Sequence, residues 1–417
     1  MSPVRPPTRK LLMAATAALT LQLGFLLHSP SVAQSIAVNE IFAVPPTASI
    51  TVSGHGYGHG HGMSQYGAEG AARTGLGYRD IIGFYYAGTE WGTASGPIKV
   101  LVSGDTTDDV VVLTRKGLSV RNTSTQEKWL LPANGATQWR LIANKANKTV
   151  VSHRAGTGGW QQLMAFAGDG EFFAKGAPIA LVTPSRTVAY RGKLRAAAPS
   201  PGSVARDTVN ILGLDRYVRG VVPLEIPASW SPEAVRAQAV AARTYASYER
   251  AHPRAGHYQV CDTTSCQVYG GRSAENPLSD EAVAATAGQA LTVAGEPAFA
   301  QFASSSGGWT AAGSVPYLAA REDPYDGWAG NPVHAWTKEL TDATFEAKWP
   351  KIGNLTQLVV DTRDGNGEWG GRVADLTIVG DQGTVTVSGD TVRSVLGLRS
   401  TWFTFTAVTA PVAARAE

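Results

Sequence analysis

The chain has 417 residues, 43% of them hydrophobic and 17% charged, a composition typical of a globular protein with one large domain or two. Lysine and arginine number 36, against 33 acidic residues. Three of the basic residues fall in residues 1–33, which leaves 33 of each sign in the remainder. A formally neutral chain gives no support for nucleic-acid binding.

Residues 1–33 have the pattern of a secretory signal peptide. Three basic residues precede an apolar run from Leu11 to Leu27, and the small residues Ser31 and Ala33 fit a cleavage site. We expect a secreted, extracytoplasmic protein with no integral membrane segment after cleavage. An uncleaved membrane anchor is the alternative interpretation.

A lead-in over residues 34–48 reaches a histidine- and glycine-rich segment, GHGYGHGHGMSQYG, that begins at Gly54. If this segment is a strand, its alternation places His55, His59 and His61 on one face and glycines on the other. The histidines are then either ligands of a metal or the polar lining of a cleft. We favour the cleft lining, because three ligands along a single strand lie far apart.

Two helices and a β-rich region follow. Ser64 is expected to cap a helix over residues 65–73, and a second helix is expected over residues 78–86. From about Pro97 to Val209, short apolar or alternating runs are separated by Gly, Asp, Asn and Pro. This pattern predicts an antiparallel sheet or a small barrel.

Glu225 lies in a short turn between Pro223 and Pro227, and each proline restricts the backbone. The turn precedes an alanine-rich helix that begins with Ser231 as its cap and Pro232 at its first position. A carboxylate held in this way is either a positioned catalytic acid or an acid that stabilises a helix N-terminus.

The two cysteines, Cys261 and Cys266, are close in sequence. In an exported protein such a pair is most simply a disulfide. The alternative is a zinc site that also uses His257, although zinc usually takes four ligands and the local sequence offers only three.

The remaining chain alternates strands with short loops. A helix is expected over residues 279–286 with Ser279 as its cap, and the run SSSGGWT begins at Ser304. The run is either an oxygen-binding loop or a plain turn. Residues 358–405 are expected to be β-rich with a small helix near Val392, and the tail over residues 408–417 is expected to be disordered.

Several separate motifs together make the chain resemble the SpoIID/LytB family of cell-wall proteins. They span nearly all of the chain after the signal segment: GHGYGHGHGMSQYGAEGAARTGLGYRDIIGFYYAGTEWG, LDRYVRGVVPLEIPASWSPEAVRAQAVAARTYA, CDTTSCQVYGG, SSSGGWT, a DP element and LRSTWFTF. The implied fold is α+β, mostly antiparallel β with a few short helices around a catalytic cleft and a β-rich subdomain inserted before the core. The resemblance implies one domain over residues 49–407, divided at 49–93, 97–205, 206–310 and 311–407.

The motif order differs from that of the family, in which the GHG segment follows the LRST strand. Here the GHG segment comes first, so the chain reads as a circular permutation. We therefore expect the strand at Phe403–Phe405 to lie beside the strand at Ile50–Ser53. Some family members also have a histidine just before the second cysteine, as part of a zinc site. Ser265 stands there in this chain, which favours the disulfide.

The resemblance implies a peptidoglycan lytic transglycosylase with Glu225 as its catalytic acid, acting on the MurNAc–GlcNAc bond of glycan strands. No cofactor is expected, and zinc is the alternative. The amidase enhancers of the family imply a second possibility, a non-catalytic wall-binding protein that stimulates a cell-wall amidase. A metal-dependent hydrolase that uses the histidine segment is a third.

Further site residues are expected around Glu225. Three serines are expected to bind sugar oxygens: Ser304, Ser305 and Ser306. Three residues are expected to line the opposite wall of the cleft: His59, Gln65 and Tyr66. Asp262, Gln267 and Tyr269 are expected to shape its floor, with Asp262 as a second acid if the enzyme is a hydrolase. Arg243 either holds a lactyl carboxylate of MurNAc or is structural.

Overall fold

The computed structural model describes residues 35–409, so the predicted signal peptide and most of the predicted tail lie outside the described residues. Its α-helices are α1 (Gln65–Arg73), α2 (Tyr78–Tyr85), α3 (Leu214–Arg219), α4 (Val222–Glu225), α5 (Pro232–Ala251), α6 (Pro277–Ala285), α7 (Asp342–Lys348) and α8 (Gly389–Leu396). Short 3₁₀ turns lie at Gly271–Ala274, Pro350–Ile352 and Glu368–Gly370. Within residues 35–409, none of the helices combines the length and the apolar character needed to cross a membrane.

The strands divide into three groups along the chain. Before the β-rich region lie β1 (Ile36–Ala43), β2 (Ser49–His55), β3 (Met63–Ser64) and β4 (Glu90–Thr93). The β-rich region contains β5 (Pro97–Leu101), β6 (Asp109–Leu113), β7 (Ser119–Asn122), β8 (Lys128–Leu130), β9 (Gln138–Ala143), β10 (Lys148–Arg154), β11 (Gln161–Ala167), β12 (Gly170–Phe173), β13 (Ile179–Val182), β14 (Thr187–Tyr190), β15 (Lys193–Ala197) and β16 (Asp207–Gly213). The last group is β17 (Val260–Cys261), β18 (Gln289–Val293), β19 (Glu296–Pro297), β20 (Phe302–Ala303), β21 (Ala335–Thr341), β22 (Leu355–Arg363), β23 (Val373–Gly380), β24 (Thr384–Ser388) and β25 (Phe403–Thr409).

The β-rich region forms two sheets, as its alternating pattern predicts. One has the order β11-β10-β9-β6-β13-β14, and the other has the order β17-β5-β16-β15-β12-β7-β8. Apolar residues of both sheets, among them Val112, Leu141 and Phe172, form one buried core. That core continues without a break into the alanine face of α5, so the β-rich region and the helix that follows Glu225 share their packing.

Helix α5 is the central element of the molecule. Val235, Ala239 and Ala242 face the core of the two sheets, whereas Ala237 and Ala241 pack into a second core with α1 and α2. Alanine suits this position, because a side chain of one methyl group lets elements approach from both sides and favours the helix. The helix begins at Pro232 with Ser231 as its cap residue, as expected from the sequence.

The expected contact between the two ends of the domain is confirmed. Strand β2 lies between β21 and β25, and Ser53 pairs with Thr404 in the antiparallel ladder with β25. The first and last motifs of the chain therefore meet in one sheet, which is the geometry that the permuted motif order requires. Strand β1 pairs with β22 in the adjoining sheet of β1, β22, β23 and β24.

The α+β class, with mostly antiparallel strands and a few short helices, is confirmed, but two local expectations are wrong. The helix expected at Ser279 begins at Pro277, and the side chain of Asn276 caps it by accepting the Leu278 N–H. In the histidine segment, strand β2 ends at His55, and the chain is extended again only in the two-residue strand β3. The glycines between them have positive φ angles, for example 74° at Gly56, so the chain turns repeatedly instead of alternating its side chains across a sheet.

Candidate active site

Glu225 is the last residue of the single helical turn α4. The apolar neighbours Val222 and Ile226 are buried and anchor the turn in the core. The flanking prolines restrict the backbone on both sides, and the carboxylate remains half-buried at the surface of a cleft. Local sequence thus fixes where the acid points.

Two donors from distant parts of the chain hold the Glu225 carboxylate. The Val268 N–H donates to Oε1 at 2.9 Å, and the side-chain amide of Gln65 donates to Oε2 at 3.4 Å. Burial raises the pKa of Glu225 above its usual value, and the hydrogen bonds from Val268 and Gln65 offset only part of this effect. A larger fraction of this group is therefore protonated at a given pH than of an exposed glutamate.

The cleft in front of Glu225 has a volume of about 250 Å³. Its remaining lining is neutral or apolar apart from one arginine: His59, Tyr245, Arg254, Thr264, Ser265, Cys266, Val268, Phe299, Gln301 and Phe302. Among the described residues that line it, Glu225 is the only carboxylate. The site therefore presents a single acid on a partly apolar wall.

The disulfide between Cys261 and Cys266 is present, with Cα atoms 5.5 Å apart. His257 contacts Asp207 at 2.6 Å. The alternative zinc set of His257, Cys261 and Cys266 is therefore not formed, because both sulfur atoms are committed to the disulfide. The bridged loop carries Val268 toward Glu225, and it forms part of the cleft wall.

The histidines do not share one strand face as expected. His55 contacts Glu368 at 2.9 Å and lies against Trp402, whereas the rings of His59 and His61 stack with centroids 4.9 Å apart. Among residues 35–409, no group of three or more His, Cys, Asp or Glu side chains is arranged to hold a metal. The histidine segment therefore does not provide the metal triad that was considered.

His59 lies in the cleft as a neutral imidazole. Burial, the ring of His61 and nearby arginines lower its pKa to about 3. Its Nδ1 accepts the His61 N–H at 2.9 Å, so the proton of the neutral ring resides on Nε2. His59 can thus offer a hydrogen-bond donor but carries no charge near Glu225.

The serine run does not face the cleft as expected. Ser305 and Ser306 are each only 1% exposed, and their hydroxyls donate to Asp326 and Asp323, both at 2.8 Å in their shortest contacts. The run therefore lies in the interior, where its hydroxyls form hydrogen bonds to two buried acids. Ser304 is half-buried, and its carbonyl oxygen accepts the Tyr66 N–H at 2.9 Å.

Of the two roles considered for Arg243, its surroundings agree with the structural one. The side chain is fully buried, with Nε 2.7 Å from Asp215 and further contacts to the backbone carbonyls of Val283 and Gln289. The arginine that lines the cleft is Arg254, which is paired with Glu249. No helical pattern marks Arg254, because it lies in the loop after α5.

The residues expected at the cleft floor divide between the interior and a second cavity. Gln267 and Tyr269 point inward, where Gln267 contacts Tyr217 and Tyr269 donates to Asn210 at 2.7 Å. Asp262 accepts from Ser103 and lines a neighbouring cavity of about 580 Å³ instead of the Glu225 cleft. Burial raises the pKa of Asp262 as well.

Sequence reasoning missed the residue that joins the GHG motif to the motif around Glu225. Glu69 of α1 is buried and accepts hydrogen bonds from the Ser231 N–H at 2.8 Å and its hydroxyl at 3.2 Å. This contact satisfies the N-terminus of α5, so it fixes α1, and with it Gln65, relative to the Glu225 turn. Tyr66 packs against Trp230 beside the same junction. The available signal was an acidic residue, Glu69, within a helix of mostly small residues.

Comparisons with known proteins agree with this geometry. Residues 203–293, which include Glu225, α5 and the disulfide, match the family model SpoIID, described as Stage II sporulation protein. The chain is 34% identical over 224 residues to Stage II sporulation protein D of Bacillus subtilis (strain 168), covering 48% of this chain and 62% of the relative. It is 41% identical over 137 residues to the Amidase enhancer of the same organism, covering 31% and 18%.

A further relative is Stage II sporulation protein D of Bacillus amyloliquefaciens, 31% identical over 227 residues that cover 47% of this chain and 61% of the relative. The chain thus spans less than two thirds of the length of these curated relatives. Over the matched segment and the regions shared with these relatives, the chain is similar to the SpoIID/LytB family.

Proposed function

We propose that the protein is an extracytoplasmic lytic transglycosylase of peptidoglycan, with Glu225 as general acid and then general base. The observation that carries the proposal is the single carboxylate in the cleft, with a pKa that burial raises. Glycoside hydrolysis usually uses two carboxylates, one of which activates water or attacks the sugar. A reaction in which the substrate supplies its own nucleophile requires only one.

The reaction balances with Glu225 alone. The protonated carboxyl gives its proton to the glycosidic oxygen as the bond between that oxygen and C1 of MurNAc breaks. The C6 hydroxyl oxygen of the same sugar then bonds to C1, and its proton returns to the Glu225 carboxylate. The products are a 1,6-anhydroMurNAc end and a free GlcNAc end, and the acid is ready for another cycle.

The surroundings of the acid support this alternation. The donors Val268 and Gln65 hold the carboxylate after it has lost its proton, whereas burial favours the protonated form before the reaction. The neutral His59 brings no positive charge to Glu225, and Arg254, the one cation that lines the cleft, is paired with Glu249. Aromatic walls such as Phe299 and Phe302 suit the apolar faces of sugar rings.

The test is Glu225→Gln, assayed on purified, peptide-free glycan strands. We expect the wild type to release products with 1,6-anhydroMurNAc ends and the variant to lose about 10²- to 10⁴-fold in rate, the usual contribution of a general acid. Mass spectrometry identifies the ends. Asp262→Asn is the matched control, because Asp262 lies outside the Glu225 cleft, and its rate should stay close to that of the wild type.

The second candidate is a wall-binding protein that stimulates a cell-wall amidase, and the similarity to the Amidase enhancer favours it. Under this alternative the wild type binds glycan without cleaving it and raises the rate of an added N-acetylmuramoyl-L-alanine amidase. Glu225→Gln then has no effect on that stimulation. Cleavage of pure glycan in the absence of any amidase contradicts this alternative.

A further inference from the structure

The seven-stranded sheet carries a line of cations on its outward face. Residues paired directly across antiparallel strands lie on the same face. The register places Lys128 of β8, Arg121 of β7, Glu171 of β12 and Arg195 of β15 in one line across four strands. Three of these four side chains are basic.

A second line of residues crosses β15 two residues before Arg195. Lys193 shares the face of Arg195, and it aligns through Ile211 of β16 with Lys99 of β5. The opposite face of the sheet, which includes Leu194, is buried in the core. All five cations therefore belong to the surface that faces away from the sandwich interior.

The one carboxylate at the centre of this face cannot neutralise its partners. Glu171 is fully buried, and it contacts Arg121 together with Lys193 at 3.2 Å and Arg195 at 3.0 Å. Three positive charges against one negative charge leave an excess of two, and all three cations keep exposed atoms. Glu171 thus holds the cations in place while the face remains positive.

The other acids near this face already have partners. Asp207 contacts His257 at 2.6 Å, and Asp169 lies 3.9 Å from Arg206. In the described part of the chain, Lys99 and Lys128 take part in no ion pair. The positive charge of the face is therefore available to an external anion.

A cavity next to the line gives the surface a concave site. It has a volume of about 360 Å³, and its walls include Lys99, Arg195, the loop over residues 198–202 and one carboxylate, Asp169. Six strands from β5 to β8 make the whole face about 24 Å across, because neighbouring strands lie about 4.8 Å apart. These dimensions suit a chain molecule with repeated anionic groups.

We propose that this face binds a polyol-phosphate polymer of the cell wall. Phosphate offers several acceptor oxygens to lysine and arginine. The aromatic rings of the outward face in the described chain, Phe173 and Tyr258, are half-buried, and Tyr258 packs on the sheet. Half-buried rings are poor stacking partners for the bases of single-stranded nucleic acids and for sugar rings. The surface therefore favours a flexible polymer without rings.

The surface also adjoins the candidate active site. At the edge of the sheet, β5 pairs with β17, which contains Cys261 of the disulfide that lines the Glu225 cleft. A bound wall polymer would therefore hold the cleft near the glycan. The choice of a wall polymer rests on the extracytoplasmic location of the proposed function, whereas the cationic face does not depend on the chemistry at Glu225.

The test compares binding of the purified protein to poly(glycerol phosphate), poly-L-glutamate and single-stranded DNA of equal charge. The variant Lys99→Gln/Lys193→Gln removes two cations and leaves Arg121 and Arg195 to pair with Glu171. We expect the wild type to prefer poly(glycerol phosphate), and the variant to bind it about fivefold or more weakly, since two exposed ion pairs are lost. Added salt should weaken wild-type binding further.

The charge-matched control is Lys348→Gln/Lys351→Gln, which changes two exposed lysines of the C-terminal part and should stay within about twofold of the wild type. Equal losses in both double variants, or equal wild-type affinity for DNA or poly-L-glutamate, would overturn the proposal. Glu225→Gln should bind the polymer like the wild type. Loss of cleavage with binding retained thus separates this surface from the catalytic proposal.

Discussion

Glu225 and Asp326 are both withdrawn from bulk water, but the chain surrounds them differently. Glu225 accepts two hydrogen bonds and borders a cleft. Asp326 is fully buried and accepts from six residues: Ser64, Ser305, Ser306, Gly307, Asn331 and His334. Burial alone would raise the pKa of Asp326, but these donors outweigh it and lower the pKa.

The difference separates the acid that we propose to be reactive from a structural one. A carboxylate saturated with donors is stabilised as an anion and cannot release or accept a proton near neutral pH. Glu225 keeps one side open and a raised pKa, so it can exchange a proton with a bound molecule. The serine run and the DPYD element of the sequence serve the structural acids, whereas the turn between the two prolines presents the reactive acid.

The largest effect is expected from Asp326→Asn. Asparagine turns an amide group toward donors that previously met a carboxylate, so several buried groups lose their partners. We expect the free energy of unfolding to fall by about 3–5 kcal/mol, measured by urea denaturation. The exposed Asp108→Asn should change it by less than about 0.5 kcal/mol. A small loss for Asp326→Asn would contradict the structural role.

Asp323 should give a pH-dependent contribution to stability. Burial and the charge of Asp326 raise the pKa of Asp323 from 3.8 to about 6 in the folded chain. The folded state therefore holds a proton that the unfolded state releases, and this stabilisation is full below pH about 3.8 and is lost as the pH rises through about 6. The difference amounts to about 2–3 kcal/mol.

Urea unfolding of wild type and Asp323→Asn at a series of pH values isolates this contribution. The stability of the wild type should fall relative to the variant between pH about 4 and about 6. The pKa of His334 is raised mainly by its hydrogen bond to Asp326, which both proteins keep, and to a smaller extent by the charge of Asp323, which the variant lacks. Parallel pH profiles for the two proteins would show that Asp323 does not titrate in this range.

The smallest effect is expected from Gln65→Leu. This change removes the donor to Oε2 of Glu225, so the pKa of Glu225 should rise further above its usual value. The alkaline limb of the pH–rate profile for glycan cleavage should then move to higher pH, because the acid keeps its proton longer. Gln382→Leu, at an exposed site elsewhere, should leave the limb in place. An acid-ward movement in Gln65→Leu would refute the assigned contact.

The sequence predicted helix bounds and helix starts correctly where these depend on neighbouring residues alone. Helix α1 spans the expected residues 65–73, and the Ser64 hydroxyl accepts the Gly67 N–H at 2.9 Å as a cap. The start of α5 at Pro232 and the small helix near Val392 also follow from local sequence, although the Ser231 side chain makes no cap hydrogen bond. The pairing of Ser53 with Thr404 was predicted from the motif order and not from local pattern.

The misplaced residues depend on contacts that are distant in sequence. Ser306 bonds to Asp323, which lies outside the serine run, and Arg243 pairs with Asp215, which lies 28 residues earlier in the same motif. The histidine segment fails as a strand because its glycines are closely packed; a Cβ on Gly62 would lie 2.0 Å from the Gln301 carbonyl oxygen. Neither the distant side-chain pairs nor the close packing of glycines produces a periodic pattern in the sequence, so neither could be predicted from it.

The central claim is that one acid, Glu225, cleaves glycan without an attacking water. Digestion of peptide-free strands in water enriched in oxygen-18, followed by mass spectrometry of the new ends, tests it most directly. We expect 1,6-anhydroMurNAc ends without the heavy isotope, and no such ends with Glu225→Gln. Reducing ends that carry oxygen-18 would contradict the account, because they require a water molecule to attack C1.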